Sequence, residues 1–403
     1  MDRESTSALT TAPGRLRVAL VTETFPPEVN GVAMTLGRLT EGLRSRGHDV
    51  EVVRPRQSAD VPGTPHEITV PGLPIPNYRG LRFGLPARGL LLGRWTENPP
   101  DIVHVATEGP LGASAIAAAR KLGLPVSSSF HTNFDAYCRH YGLGWLKQPI
   151  AGYLCRFHNR CDVTYVPTRA LARELGDFGY RDVSILSRGV DTRLFNPARR
   201  CEALRASWGA QPNDLVVAYV GRIAAEKNLK TVVDAFAAIR SQQPQAKLVF
   251  VGDGPLRKML TARHPEHIFT GMRHGADLAA HYASSDIFLF PSLTETFGNA
   301  VTEALASGLG VVAYAQAAAA ELIRDGSNGL LAAPGNSEAF IAAAARLAQA
   351  PYLLAMNRRH AATSVAELDW EHIHAAFAAA LIQLVNARGG RQHGQDRLAV
   401  AQE

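Results

Sequence analysis

Short apolar runs alternate along this chain with segments in which apolar residues recur every three or four positions. The first run covers residues 16–22, and helical spacing follows from Val32 to Leu43 before Gly47, where we expect the helix to end. The next apolar run begins at Val50. A strand, a helix and a strand in this order predict a βαβ unit and therefore a parallel sheet. Runs that predict further strands lie at 102–105, 126–130 and 163–166, with a helix predicted over 110–122.

The same alternation starts again near residue 215. Strands are predicted over 215–220, 247–252, 287–290 and 311–313, and helices over 228–241 and 299–307. The sequence therefore predicts an α/β protein of two doubly wound, Rossmann-like domains, residues 15–186 and 198–365. Residues 187–197 are the predicted linker, and an amphipathic helix at 366–386 is expected to pack back towards the first domain. Because ligands bind beyond the carboxyl ends of parallel strands, the cleft between the domains is the predicted active site.

The composition is that of a folded enzyme. Of 403 residues, 46% are hydrophobic and 19% are charged, and no apolar run approaches the roughly 18 residues that a membrane-spanning helix needs. Residues 1–14 lack the apolar segment of a secretory signal, and the four cysteines form no CxxC pair, so we expect reduced thiols in the cytoplasm. Residues 1–190 contain 22 Lys and Arg against 17 Asp and Glu, which favours an anionic partner, although modest positive charge also aids solubility.

Two glycine-containing loops follow predicted strands. Gly31 lies where the first loop meets the first helix, so a phosphate or sugar could approach backbone N–H groups there, and a plain turn is the alternative. Asp253 lies between Gly252 and Gly254, but Arg257 occupies the position of the third glycine in a dinucleotide fingerprint. These two glycines are therefore expected to form a tight turn, and the missing GxGxxG pattern argues against an NAD or FAD enzyme.

Arg222 and Lys227 follow the strand predicted over 215–220. Two cations at one strand end can converge on a diphosphate, which arginine binds bidentately and lysine binds as a point charge. The alternative is a pair of surface cations, with one of them paired to Glu226.

Two carboxylates eight positions apart follow the strand predicted over 287–290. Glu295 lies in the predicted loop and Glu303 on the predicted helix. A glycosidase acid–base pair needs carboxyl groups roughly 5–9.5 Å apart. Eight residues of continuous helix rise about 12 Å, so the two groups better suit two hydroxyl-rich ends of one long ligand. The alternative is an acid at a helix start plus a solvated helix acid.

Glu295 and Glu303, with Arg222, Lys227 and the Gly31 loop, resemble the retaining glycosyltransferases of family 4, which have the GT-B fold. The resemblance implies that Glu295 contacts the 3- and 4-hydroxyls of the donor sugar and that Glu303 holds the ribose. It also implies that the two cations neutralise the diphosphate. The implied route is a front-face attack in which the leaving phosphate accepts the acceptor's proton, after closure of the two domains.

The resemblance covers roughly residues 15–385 and implies roles for further residues. His131 matches the active-site histidine beside the transferred sugar. Residues 270–273 lie at the position where relatives contact the base through backbone groups, which leaves guanine and uracil both open. The family uses no metal in catalysis, no metal-ligand cluster in the sequence demands one, and no cofactor is expected. The remaining positions assigned to donor binding are Asp253, Met272, Phe297, Gly298 and Asn299.

Residues 131–137, 139–145 and 188–191 are similar to those of bacterial GDP-mannose-dependent α-mannosyltransferases. Sulfoquinovosyl and glucuronosyl lipid transferases share much of this pattern, and many of these relatives glycosylate lipids at the cytoplasmic leaflet. The resemblance therefore implies transfer of a hexose, with mannose from GDP-mannose as the first choice and a UDP-sugar as the alternative. The implied acceptor is a lipid or glycolipid.

Two segments of the basic half, residues 78–95 and 139–160, interleave arginines with apolar and aromatic residues. This composition is typical of an interfacial membrane contact, although a core-covering helix with a basic outer face has the same pattern. We therefore expect a cytoplasmic enzyme that binds peripherally to the anionic inner face of the membrane. The candidate acceptor or membrane contacts are Arg79, Arg82, Tyr137, Arg139, Tyr141 and Trp145.

Two other classes compete with this interpretation. Phosphorylases share the GT-B architecture, but the sequence contains no lysine motif for pyridoxal phosphate. A non-enzymatic nucleotide-sugar or RNA-binding protein would suit the basic half, but no RNA motif is present and aromatic residues make up only 7%. No nucleic-acid partner is expected.

Overall fold

The computed structural model describes residues 14–28, 30–57, 66–74, 82–131 and 147–400. The elements of the first half are β1 (Arg17–Val21), α1 (Gly31–Ser45), β2 (Asp49–Pro55), β3 (Glu67–Val70), β4 (Gly72–Pro74), β5 (Arg82–Gly84), α2 (Arg88–Glu97), β6 (Ile102–Val105), α3 (Pro110–Lys121), β7 (Val126–Ser129), α4 (Lys147–His158), β8 (Val163–Val166), α5 (Arg169–Phe178) and β9 (Val183–Ile185). Seven of these strands form a parallel sheet in the order β3-β2-β1-β6-β7-β8-β9, and β4 and β5 form an antiparallel pair.

The second half is built on a parallel sheet of six strands. Its elements are α6 (Glu202–Ser207), β10 (Val216–Val220), α7 (Leu229–Arg240), β11 (Lys247–Val251), α8 (Arg257–Arg263), β12 (Ile268–Gly271), α9 (Gly275–Ala283), β13 (Ile287–Phe290), α10 (Asn299–Ala306), β14 (Gly310–Tyr314), α11 (Ala317–Leu322), β15 (Gly329–Ala332), α12 (Ser337–Gln349), α13 (Pro351–Ser364) and α14 (Trp370–Val400). The strand order is β12-β11-β10-β13-β14-β15. Both sheets place the carboxyl ends of their strands on one edge, which is where the loops that carry the predicted site residues begin.

The central strands are buried on both faces. In β10, Val217 and Tyr219 join one hydrophobic core, and Val216 and Ala218 join the other. A strand covered by helices on both sides needs apolar residues at every position, which explains the continuous apolar runs in the sequence. The predicted α/β architecture of two Rossmann-like units is confirmed.

Most predicted elements agree with the observed bounds within two residues. The last helix differs, because α14 continues to Val400 although the sequence predicts its end near residue 386. Once packing has nucleated a helix, each further residue adds a backbone hydrogen bond, so a polar sequence can extend the helix without an apolar face.

The start of α14 packs against α1 of the first half. Phe377 and Leu381 are fully buried in the same core as Leu36. The approach is close, because a Cβ atom on Gly42 would lie 2.1 Å from the ring of His374. The start of α14 therefore packs on the first half, although this helix follows the second half in the sequence.

Gly42→Ala is expected to lower the free energy of unfolding by about 1–3 kcal/mol, because the new methyl group must displace the His374 ring. Gly89→Ala in α2 is the matched control, since a Cβ there meets nothing within 4 Å. At that position alanine is expected to stabilise the protein by about 0.5–1 kcal/mol. Urea unfolding of both variants measures the difference, and equal effects would contradict the close packing of α1 and α14.

Among the described helices, none is by itself long and apolar enough to cross a membrane. Residues 337–349 and 351–368 pass the criteria of length and composition only as a pair, and the two segments are bent by 100°. Phe340 and Leu347 of the first segment are fully buried in the core of the second half.

Candidate active site

Loops at the carboxyl ends of strands from both sheets meet between the two halves. His131 follows β7, and Glu295 follows β13. The hydroxyl of Thr296 donates a hydrogen bond to the backbone oxygen of His131 at 2.9 Å. Two residues that the sequence predicts for the cleft, His131 and Glu295, therefore lie on loops that touch.

Glu295 and Lys227 form an ion pair, with side chains only 19% and 18% exposed. The hydroxyl of Ser292 donates to the same carboxylate oxygen at 2.8 Å. Burial opposes the charged carboxylate, but Lys227, Ser292 and Arg188 together outweigh burial and hold the pKa of Glu295 below its usual value. Glu295 is therefore charged at neutral pH and offers hydrogen-bond acceptors to a ligand.

Arg222 lies five residues before Lys227, at the outer part of the same loop. Its side chain is 43% exposed, and its Nη1 lies 3.4 Å from Glu226 Oε1. The contact with Glu226 that the sequence left open is therefore present. The loop carries one half-exposed arginine and one largely buried lysine, a pair suited to an anion that enters from solvent.

Glu303 lies on α10 and is half-buried. Burial raises its pKa to about 7, although the hydroxyl of Tyr282, which donates to Glu303 Oε2 at 2.9 Å, favours the charged form. This environment differs from that of a solvated helix acid. The carboxyl group changes charge near neutral pH, so the affinity for any ligand that it binds should depend on pH.

The loop after β13 ends at the N-terminus of α10. Gly298 has φ +91, which only glycine adopts easily, and as the N-cap it supplies no side-chain hydrogen bond. The first N–H groups of α10 therefore lack a side-chain cap and favour an anion. Phe297 is buried beneath this turn, and the Oδ1 atom of Asn299 is buried without a hydrogen-bond partner among the described residues.

Arg188, to which sequence reasoning assigned no role, lies at the centre of the site. Its Nη2 atom is 3.1 Å from Nδ1 of His131, and its guanidinium carbon is 5.9 Å from the centre of the Phe297 ring. Burial lowers the pKa of Arg188 to about 10, with Glu295 acting against the shift, and burial followed by Arg188 lowers the pKa of His131 well below its usual value. In the sequence, Arg188 was indicated only as a member of residues 188–191, one of the segments similar to α-mannosyltransferases.

The helix N-terminus at Gly31 is capped by a side chain. Asn30 is the N-cap of α1, and its side-chain oxygen accepts hydrogen bonds from the N–H groups of Val32 and Ala33 at 3.1 and 2.9 Å. Two of the donors that a phosphate would need are thus already used. Gly31 itself has open space around the position of a Cβ.

The Asp253 loop has the tight turn that the sequence predicts. A Cβ on Gly252 would lie 2.0 Å from the backbone oxygen of Gly221, so the loops after β10 and β11 pass backbone to backbone. Asp253 accepts hydrogen bonds from the N–H of Gly254 at 2.7 Å and from Arg257 at 3.0 Å. The Asp253 carboxylate is therefore held by its own loop.

The predicted base-contacting segment, residues 270–273, overlaps the end of β12. Met272, just after the strand, is 53% exposed. Among the described residues, one group could hold a metal ion, namely His264, Glu266 and His267. This group precedes β12 and therefore lies at the amino end of the strand, on the edge of the sheet opposite to the candidate active site.

The two segments that suggested a membrane contact contribute to the core. Leu91 and Trp95 of α2 are buried in the first half, as are Leu154 and Phe157 of α4, so these residues cannot also face a membrane. Arg82 donates a hydrogen bond to the backbone oxygen of Gly72 at 2.5 Å, across the β4–β5 pair. The other candidate acceptor or membrane contacts lie outside the described residues: Arg79, Tyr137, Arg139, Tyr141 and Trp145.

The fold is shared with proteins of known structure. Sucrose-phosphate synthase from Thermosynechococcus elongatus aligns with a TM-score of 0.74 over 93% of this chain and all of that chain, at 19% identity. The Anabaena protein HepE, solved with UDP, aligns with a TM-score of 0.72 over 91% of this chain and 99% of its own, at 20% identity. Two Rossmann-like domains that meet in this way define the GT-B class of glycosyltransferase.

Sequence comparison identifies the family. The family described as Glycosyltransferase Family 4 matches residues 29–194, and the one described as Glycosyl transferases group 1 matches residues 214–350. A GDP-mannose-dependent α-mannosyltransferase of Corynebacterium glutamicum is 36% identical, over 78% of this chain and 76% of that protein. A GDP-mannose-dependent α-mannosyltransferase of Mycolicibacterium smegmatis is 34% identical, over 86% of this chain and 90% of that protein. The chain belongs to glycosyltransferase family 4, as the sequence motifs predicted.

Proposed function

We propose that this glycosyltransferase moves mannose from GDP-mannose to a lipid or glycolipid acceptor, with retention of the anomeric configuration. The observation that carries the proposal is the largely buried Lys227–Glu295 pair, next to Thr296, whose hydroxyl donates to the backbone oxygen of His131. The identity of 34–36% to GDP-mannose-dependent mannosyltransferases supports the choice of donor.

The proposed roles follow from charge and position. The Glu295 carboxylate accepts hydrogen bonds from donor-sugar hydroxyls, while Lys227, Arg222 and the α10 N-terminus stabilise negative charge on the diphosphate. In the front-face route, the bond from the acceptor oxygen to the anomeric carbon forms as the bond from that carbon to the phosphate oxygen breaks. The acceptor's proton passes to the leaving phosphate. We propose no role for a metal ion or other cofactor in this step.

The relatives also support the alternative donor and the lipid acceptor. They include a sulfoquinovosyl transferase of Arabidopsis thaliana, 31% identical over 80% of this chain and 64% of that protein. An alpha-monoglucosyldiacylglycerol synthase of Streptococcus pneumoniae is 29% identical over 78% of this chain and 75% of that protein. A UDP-sugar therefore remains the second candidate donor, and we propose peripheral binding to the anionic inner face of the membrane. We propose no nucleic-acid partner.

The affinity for GDP is expected to rise roughly tenfold between about pH 6 and pH 8, because Glu303 must be ionised to accept hydrogen bonds from both ribose hydroxyls and its pKa is about 7. The free energy of unfolding should fall over the range from about pH 4.5 to 7. In this range the folded protein keeps the Glu303 proton that the unfolded chain has already released, so raising the pH favours the unfolded chain. Calorimetric titration with GDP measures the affinity. Glu303→Gln should remove the pH dependence, and Glu338→Gln, on the exposed start of α12, should keep it.

A thermal-shift panel of GDP, UDP, ADP and their sugar conjugates tests the donor. A ligand that binds only the folded protein raises the melting temperature according to its affinity. Selective stabilisation by GDP and GDP-mannose is expected, and selective stabilisation by UDP would replace mannose with the UDP-sugar alternative. No response to any nucleotide from a folded protein would contradict the proposal and favour a phosphorylase.

A further inference from the structure

We propose that Arg188 is a positioning residue that fixes the tautomer of His131, so that the Nε2–H of this histidine donates to an oxygen of the transferred sugar. The inference rests on the proposed function for the identity of the ligand. The tautomer itself follows from contacts within the chain.

The direction of the Arg188–His131 hydrogen bond determines where the proton is. A guanidinium group carries five N–H donors and no acceptor. Because Nη2 of Arg188 lies 3.1 Å from Nδ1 of His131, Nδ1 must be the acceptor and carry no proton. A neutral imidazole has one proton, so that proton is on Nε2.

The Nε2 atom of His131 then needs an acceptor. It is buried and has no hydrogen-bond partner among the described residues. Buried polar atoms in folded proteins are nearly always paired, so a donor that finds no partner in the described part of the chain, beside a ligand site, points to an atom of the ligand. A sugar hydroxyl or ring oxygen supplies such an acceptor.

Arg188 is held firmly enough to act in this way. It is only 8% exposed, its guanidinium lies over the Phe297 ring, and the negative charge of Glu295 is near enough to favour its charged form. Arg188 therefore joins His131 of the first half to residues that surround the proposed diphosphate site in the second.

The surroundings of His131 keep its ring neutral. Within the described ranges, the charged or titratable groups that act on it are Arg188, His104 on β6 and His158 on α4, and Glu295 acts on Arg188. Burial and the positive charge of Arg188 both oppose a second proton. His131 thus acts as a neutral hydrogen-bond donor rather than as a cation.

The test compares Arg188→Met, which removes the donor, with Arg188→Lys, which restores a donor and a charge. Arg193→Met is the matched control, because Arg193 is an exposed arginine of the same segment. For Arg188→Met we expect kcat to fall roughly 100-fold with the GDP Kd changed less than about threefold, since only positioning is lost. Arg188→Lys should recover most of kcat, and Arg193→Met should match the wild type.

A second measurement depends neither on activity nor on the Arg188 variants. Imidazole ¹⁵N NMR of the wild-type protein, with the His131 signals identified by their loss in His131→Asn, should show protonation at Nε2 only. Protonation of His131 at Nδ1 would overturn the inference. So would an Arg188→Met enzyme with unchanged kcat and a weakened GDP Kd, which would make Arg188 a phosphate ligand. Failure of the wild type to bind nucleotides would instead overturn the proposed function and leave the tautomer result standing.

Discussion

Lys227→Ala is expected to lower the rate of sugar transfer by roughly 100- to 1000-fold, because the lysine would neutralise charge on the leaving diphosphate in a largely buried site. The effect on folding should be much smaller. Glu295 keeps its hydrogen bond from Ser292 and the nearby charge of Arg188, so we expect a loss of about 1–2 kcal/mol and a fall of only a few degrees in melting temperature. Steady-state kinetics and thermal unfolding of the same preparation separate the two effects.

Lys230→Ala is the matched control for this prediction. Lys230 lies three residues further along the chain, is 86% exposed and pairs with Asp234 on the helix surface. Its removal should change neither turnover nor melting temperature. A Lys227→Ala enzyme with near-normal turnover would contradict the assignment of this lysine to the diphosphate.

Glu295→Gln is expected to reduce the rate of sugar transfer by a similar factor, roughly 100- to 1000-fold, because it weakens the contact with the donor sugar rather than with the diphosphate. The amide keeps the size of the side chain but loses one acceptor and leaves Lys227 without its ion-pair partner. We therefore expect a large loss in kcat and in affinity for the intact sugar nucleotide, with little change in affinity for GDP alone. Calorimetry with GDP and with the sugar nucleotide measures the two affinities separately.

A double variant shows whether the two residues act as one unit. Because Lys227 and Glu295 are in contact, Lys227→Ala combined with Glu295→Gln should cost much less than the product of the two single effects. Multiplicative losses would indicate that the ion pair is incidental to catalysis. Equal losses of GDP affinity in both single variants would contradict the separate contacts proposed for sugar and diphosphate.

The elements and the strand-end residues could be predicted because they depend on local pattern. An apolar run marks a strand that is covered on both faces, and the position just after it marks the edge where parallel sheets bind ligands. Glu295 and Lys227 were recognised in this way. That they are paired, across 68 positions of sequence, could not be read from spacing, because the pairing depends on how β10 and β13 lie side by side.

Other features were harder to predict from the sequence, for separate physical reasons. Asn30 gave a readable signal, since asparagine before a helical run is a strong N-cap, and its side-chain oxygen accepts hydrogen bonds from two N–H groups of this helix start. Arg188 gave almost none, because a lone arginine between two domains is indistinguishable from a surface cation until both domains are placed. Leu91 and Trp95 were ambiguous in principle, since a core-facing helix and a membrane-facing helix need the same apolar stripe.

Transfer of labelled mannose from GDP-mannose into organic-extractable lipid, with purified enzyme and vesicles that contain diacylglycerol or glycolipid acceptors, tests the central claim most directly. The account predicts a mannosyl lipid with the α-configuration of the donor, formed by the wild type and nearly abolished in Lys227→Ala. The account would be contradicted if the label stayed in unreacted GDP-mannose with every acceptor, and if inorganic phosphate instead released sugar-1-phosphate from a polysaccharide.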